Sequence, residues 1–117
     1  MIKHTNDRGA GNHSYVYRWN GVAHGAEIEP LTLRGAMPVA WQVVGDLAGA
    51  VATMHGSLDG QHWHSLVDDL GIPYERRHAG ISPLSARSSY IVPHLRLVDD
   101  TAGKADCDFM ILVDLPR

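Results

Sequence analysis

The stretch from Val51 to Val67 does most to limit what this chain can fold into. Val51-Ala-Thr-Met-His-Gly-Ser-Leu58 consists mainly of small and β-branched residues, Asp59-Gly60 is a strong signal for a tight hairpin turn, and Gln61-His-Trp-His-Ser-Leu-Val67 returns. Side chains alternate along a strand, so Trp63 points to one face while His62 and His64 point to the other. A shift of one residue exchanges them. With Trp63 inward the hairpin is a packing motif. With the histidines inward it is half of a metal site.

Around this hairpin the chain divides into short extended segments. Residues 1–12 carry no periodicity and end in Arg8-Gly-Ala-Gly-Asn12, which predicts a flexible N-terminal arm, with one domain over 13–117. Tyr15, Tyr17 and Trp19 alternate with Val16 and Arg18, a strand with one aromatic face suited to a core, and Asn20-Gly21 reads as the turn that closes it. Pro30 demotes Glu27–Leu33 to an edge or loop. Pro38–Val44 begins at a proline, as strands tolerate, and places Trp41 and Val43 opposite Ala40, Gln42 and Val44.

After Val67, Tyr74 to Arg87 reads as one long connection, and Ser88–Val98 as a long strand kinked or bulged at Pro93. Asp99 to Ala105 reads as a hairpin loop. The last strand then aligns Cys107, Phe109, Ile111 and Val113 on one face. About seven strands with turns between them predict an all-β antiparallel sandwich or barrel. The 12 glycines, 6 prolines and lack of long helix-forming windows point the same way.

Composition narrows the function. The net charge of −3, with no basic run longer than Arg76-Arg77, gives no footprint for a nucleic-acid backbone, so direct nucleic-acid binding is not expected. No apolar run reaches the roughly 18 residues of a membrane span. The single cysteine, Cys107, cannot form an internal disulfide and is expected to be a small buried hydrophobe.

His62, His64 and Asp68 follow the spacing of the first cupin motif, in which an inward His-x-His pair and a carboxylate hold a divalent metal, with Asp in place of the usual Glu. The second cupin motif is not matched by His78 or His94, so the primary expectation is no metal and no cofactor, with two solvated histidines flanking a buried Trp63. Asp99, Asp100, Asp106 and Asp108 do not follow the EF-hand order and read as turn residues. Ser57 and Ser82 lack the Gly-x-Ser-x-Gly elbow, and no glycine-rich phosphate loop occurs, so no enzyme is expected.

Two further patterns carry a resemblance. Gly56-Ser-Leu-Asp-Gly-Gln-His-Trp63, preceded by Val51–Met54, together with Tyr90-Ile-Val-Pro-His-Leu-Arg-Leu97 and the apolar Phe109–Val113, resembles small β-sandwich proteins of tailed bacteriophages. Among these it is most similar to the jelly-roll cement, or decoration, proteins of phage capsids, such as those of short-tailed Bordetella phages. Discoidin-like glycan-binding sandwiches share the Ser-x-Asp-Gly-x-x-Trp hairpin. An exposed aromatic platform near Tyr15, Tyr17 and Trp19 would favour that reading.

The cement resemblance implies a jelly-roll sandwich made in the host cytoplasm and located on the capsid exterior. It implies a homo-oligomer, dimer or trimer, that bridges major capsid protein subunits. The 74–87 connection, with Tyr74, Arg76, Arg77 and Arg87, has the aromatic and arginine content that interfaces favour and is the expected partner-binding segment. The N-terminal arm would order on binding.

Overall fold

The computed structural model describes residues 1–8, 14–23, 25–98 and 105–115, and among them there is no helix. Ten strands follow in order: β1 (His4–Arg8), β2 (Ser14–Val22), β3 (Leu31–Thr32), β4 (Met37–Asp46), β5 (Val51–Ser57), β6 (His64–Ser65), β7 (Glu75–Arg76), β8 (Gly80–Pro83), β9 (Tyr90–Arg96) and β10 (Asp106–Asp114). They form two antiparallel sheets, the first ordered β1-β2-β10-β4-β8 and the second β3-β9-β5-β6, with β7 also pairing with β5. The result is an all-β sandwich.

From β2 onward the pairings nest. β2 pairs with β10, β3 with β9, β4 with β8, and β5 with β6 and β7. Successive pairs fall alternately in the first and second sheets. The connectivity is that of one long hairpin, its tip between β5 and β6, wrapped around a common core.

Alternation on β10 explains the core. Cys107, Phe109, Ile111 and Val113 all point inward and are buried. Register sets Phe109 beside Trp19 of β2 and Val43 of β4, and Ile111 beside Trp41. The Trp41 and Phe109 rings stack with centroids 6.4 Å apart and planes 11° from parallel. From the second sheet Ala52, Met54, Ile91 and Leu95 close over them. Each large ring removes roughly 150–250 Å² from water, a transfer gain of roughly 4–6 kcal/mol before entropy is counted.

Several segments differ from the sequence expectation. His4–Arg8, expected within a flexible arm, forms the edge strand β1 in register with Trp19 to Tyr15. Ile2 is held as well, by a parallel bridge to Ile28. Residues 9–12 of that arm lie outside the described residues.

Asn20-Gly21 does not end its strand. Trp19 faces Phe109 and Val22 faces Cys107, so Asn20 and Gly21 together oppose Asp108 in a bulge. Gly21, at φ +64°, takes the left-handed conformation the bulge needs and donates its N–H to Asp108 Oδ1 at 2.9 Å.

Pro93 produces no kink, because β9 pairs with β5 without a break from Tyr90 to Arg96. Met54, opposite Pro93, directs its carbonyl to Leu66 on the other side of β5. Pro93 therefore turns its nitrogen away from β5, toward the side where β3 spans only Ile91 and Tyr90. No ladder donor is needed there.

Tyr74–Arg87 is not one loop, since it contributes β7 and β8, one to each sheet. Asp99–Lys104, most of the expected last hairpin loop, lies outside the described residues.

Candidate functional site

The 58–63 turn departs from a two-residue hairpin because Asp59 builds a larger one. Its Oδ1 accepts the backbone N–H groups of Gln61 and His62 at 2.8 and 2.9 Å and the Ser57 hydroxyl at 2.9 Å, while Oδ2 lies 2.6 Å from His62 Nδ1. The backbone donors of His62 and Gln61 hold the Asp59 carboxyl far below the usual carboxylate range. The returning strand shrinks to His64–Ser65, in register with Gly56 and His55.

Neither face of that strand enters the core. Trp63, expected inward, is only half-buried and rests edge-on against Tyr90 at 6.5 Å. It sits where Asp59 has already reversed the chain, beyond the reach of the core. His62 and His64 are exposed and, with Arg87, line a groove of about 350 Å³ beside Gly56 and Ser88.

Asp68, the third member of the cupin-like set, is committed elsewhere: its Oδ1 accepts the N–H groups of Leu70 and Ile72 at 2.9 and 3.0 Å. Among the described residues no group of three His, Cys, Asp or Glu side chains is placed to hold a metal ion. The inward histidine pair of a cupin site is not formed. Of the four aspartates considered for calcium, Asp99 and Asp100 lie outside the described residues, and Asp108 pairs with Arg18 at 2.6 Å.

Ser57 Oγ serves the Asp59 turn, and Ser82 Oγ accepts from Arg76 Nη1. Cys107 is buried in the sandwich. Desolvation first, then Asp106 and Asp108, pushes its thiol up to about 11, which suits packing rather than nucleophilic attack.

The expected partner-binding residues divide. Tyr74 and Arg76 work within the fold. The Tyr74 hydroxyl donates to the Ser85 carbonyl and accepts the Ser85 N–H. Arg76 donates to the carbonyls of His78, Ala79 and Ile81, and a Cβ at Gly80 would land on its guanidinium. Arg77 and Arg87 are exposed and face two different grooves, Arg77 beside the Gly45–Ala50 turn and Arg87 beside His62.

The aromatic face of β2 is no platform. Trp19 is fully buried, its indole N–H donates to the Glu29 carbonyl at 2.8 Å, and His4 covers Tyr17 and Trp19 edge-on.

A contiguous apolar surface lies on the outer face of the first sheet. Register aligns Arg18, Met110, Gln42 and Ile81 in one row across β2, β10, β4 and β8, and Val16, Leu112, Ala40 and Pro83 in the next. The apolar side chains are contiguous, Ile81 is 64% exposed, and they enclose a shallow groove of about 310 Å³. Sequence reasoning aligned Ala40, Gln42 and Val44 but did not join them to β8 and β10. The available signal was Phe109–Val113, apolar at both parities, the pattern of a strand covered on both faces.

No protein-family model, curated protein or solved structure matches this chain.

Proposed function

We propose that the chain is a jelly-roll capsid cement protein, a non-enzymatic virion component that binds the outer surface of an assembled shell and bridges neighbouring major capsid protein subunits. The observation that carries this reading is the contiguous apolar outer face of the first sheet. Contiguous apolar surface rimmed by polar residues is a common mark of contact with a protein, a membrane or a ligand, and the cement reading assigns this face to a protein. The nested order β2·β10, β3·β9, β4·β8, β5·β6 supports the jelly-roll connectivity that the resemblance implies.

The physics of the role is linkage. A protein that binds the assembled shell better than free subunits stabilises the shell by the difference, and a dimer or trimer multiplies modest contacts through effective concentration. Arg77 and Arg87, both exposed, are available as peripheral contacts. The outward His62 and His64 give the cupin-type metal reading no support.

The test is co-sedimentation of the purified chain with shells assembled from the proposed partner, the major capsid protein of the same virus. Saturable binding to shells and not to free subunits, with a raised shell melting temperature, is expected. Absence of binding to shells at saturating protein overturns the reading.

A further inference from the structure

We infer that the apolar outer face of the first sheet seats a partner protein whose own apolar contact is flanked by lysine or arginine, rather than a second copy of this chain. The inference deepens the cement reading and rests on its treatment of that face as an interaction surface. What decides between the two occupants is charge at the strand ends.

Along β10 the outward side chains run Asp106, Asp108, Met110, Leu112, Asp114, so the apolar centre has an acid beyond each end. Asp106 faces Asp46 of β4 directly, which doubles the charge at one end. Asp46 Oδ1 accepts the Ala48 N–H at 2.8 Å. Asp106, Asp46 and Asp114 are all exposed, and none is in an ion pair among the described residues. The cation in the face itself, Arg18, is already engaged by Asp108 Oδ2 and Asn20 Oδ1, each at 2.6 Å. Arg77 lines the groove beside Asp46, and among the described residues no cation is paired with Asp106 or Asp114.

Two copies stacked face to face are related by a two-fold axis lying between the sheets. With the axis along the strands, Asp46 and Asp106 of one copy lie over the same pair of the other. With the axis across the strands, the Asp106 end lies over the Asp114 end. Acid meets acid in both of these aligned packings, and like charges brought together at an interface oppose association. A partner with basic residues around an apolar patch meets apolar surface at the centre and opposite charge at both ends. This arrangement favours that partner and rejects self-stacking with the same residues.

The test uses the intact chain and two synthetic amphipathic peptides sharing one leucine face, one flanked by lysines and the other by glutamates. The lysine peptide is expected to bind saturably and at least about tenfold tighter than the glutamate peptide, and to weaken as salt rises. Amide resonance changes should centre on Val16, Ala40, Ile81, Met110 and Leu112. Asp106→Asn with Asp114→Asn should weaken the lysine peptide several-fold. These surface changes are not expected to disturb folding, and Ile81→Ser on the edge strand should remove binding of both peptides.

Equal affinity for the two peptides overturns the inference, as do resonance changes elsewhere or sedimentation showing a dimer that Ile81→Ser dissolves. Because no shell is present, shell binding without discrimination between the peptides sinks this inference and leaves the cement reading standing. Peptide discrimination without shell binding does the reverse.

Discussion

The imidazole rings of His55 and His94 stack on the outer face of the second sheet, with centroids 4.4 Å apart and planes 23° from parallel. They meet diagonally, because His94 is opposite Thr53 and His55 opposite Val92 on the antiparallel pair β5·β9. Burial lowers the His55 pKa from its ordinary 6.5, and charge on His94 and then His64 lowers it further. Ser65 Oγ lies 3.4 Å from His55 Nε2, and the Arg96–Glu75 ion pair follows along the same face.

A histidine whose folded pKa is depressed favours the folded state above its unfolded pKa. That contribution is lost as pH falls through the folded pKa. Denaturant midpoints should therefore fall on acidification from pH 6.5 downward, and His55→Gln should flatten that slope. An unchanged slope in His55→Gln would assign the acid sensitivity to other groups.

Two buried tryptophans provide a comparison at matched size. Trp19 donates its indole N–H to the Glu29 carbonyl at 2.8 Å, whereas the buried Trp41 N–H has no partner among the described residues. An unsatisfied buried donor costs about 1–3 kcal/mol. Replacement by Phe removes similar volume at both sites, but at Trp41 it also removes that cost. Trp19→Phe is expected to lower the unfolding free energy by about 1–3 kcal/mol more than Trp41→Phe. Equal losses would show that volume alone governs both sites.

The legible part of this fold was whatever a two-residue period could report. Cys107, Phe109, Ile111 and Val113 share the buried face of β10, and Trp41 and Val43 that of β4, as alternation requires. Local signals failed where side chains redirect the backbone. Asp59-Gly60 has the composition of a tight turn, yet the Asp59 carboxylate gathers the Gln61 and His62 N–H groups into a longer one. Asn20-Gly21 has turn composition as well, but pairing with β10 resumes at Val22 and absorbs it as a bulge. The apolar face escaped detection for a different reason. Val16, Ala40, Ile81 and Leu112 are far apart in sequence, and only strand order brings them together.

The position of Trp63 changes what its loss should cost. A large aromatic emptied from a core costs about 3–5 kcal/mol, and Phe109→Ala should fall in that range because Phe109 is fully buried between Trp19 and Val43. Trp63 is half-buried against Tyr90, so Trp63→Ala should cost about 1–2 kcal/mol, less than the Phe109 effect. His62→Ala and His64→Ala, both at exposed positions, should leave global stability nearly unchanged. A Trp63→Ala loss as large as that of Phe109→Ala would mean the turn is part of the folding core.

Strand β4 is bracketed by two turns of the same geometry. In Leu33-Arg34-Gly35-Ala36 the Ala36 N–H donates to the Leu33 carbonyl at 2.9 Å, with φ of 50° and 84° at the central residues. In Leu47-Ala48-Gly49-Ala50 the Ala50 N–H donates to the Leu47 carbonyl at 2.8 Å, with φ of 48° and 85°. Positive φ at both central positions is the mark of a type I′ turn, in which Asn-Gly is the favoured pair. Arg34 and Ala48 therefore hold a conformation that costs an ordinary L-residue about 1–2 kcal/mol and Asn less. Arg34→Asn and Ala48→Asn should each raise the unfolding free energy by about 0.5–1 kcal/mol. Ala48→Val, which puts a β-branched residue in the left-handed region, should lower it by at least as much. The turns sit at opposite ends of β4 and share no side-chain partner among the described residues, so the two gains should add in the double variant. A loss on Arg34→Asn beside a gain on Ala48→Asn would show that the Arg34 side chain contributes a contact outweighing its backbone strain.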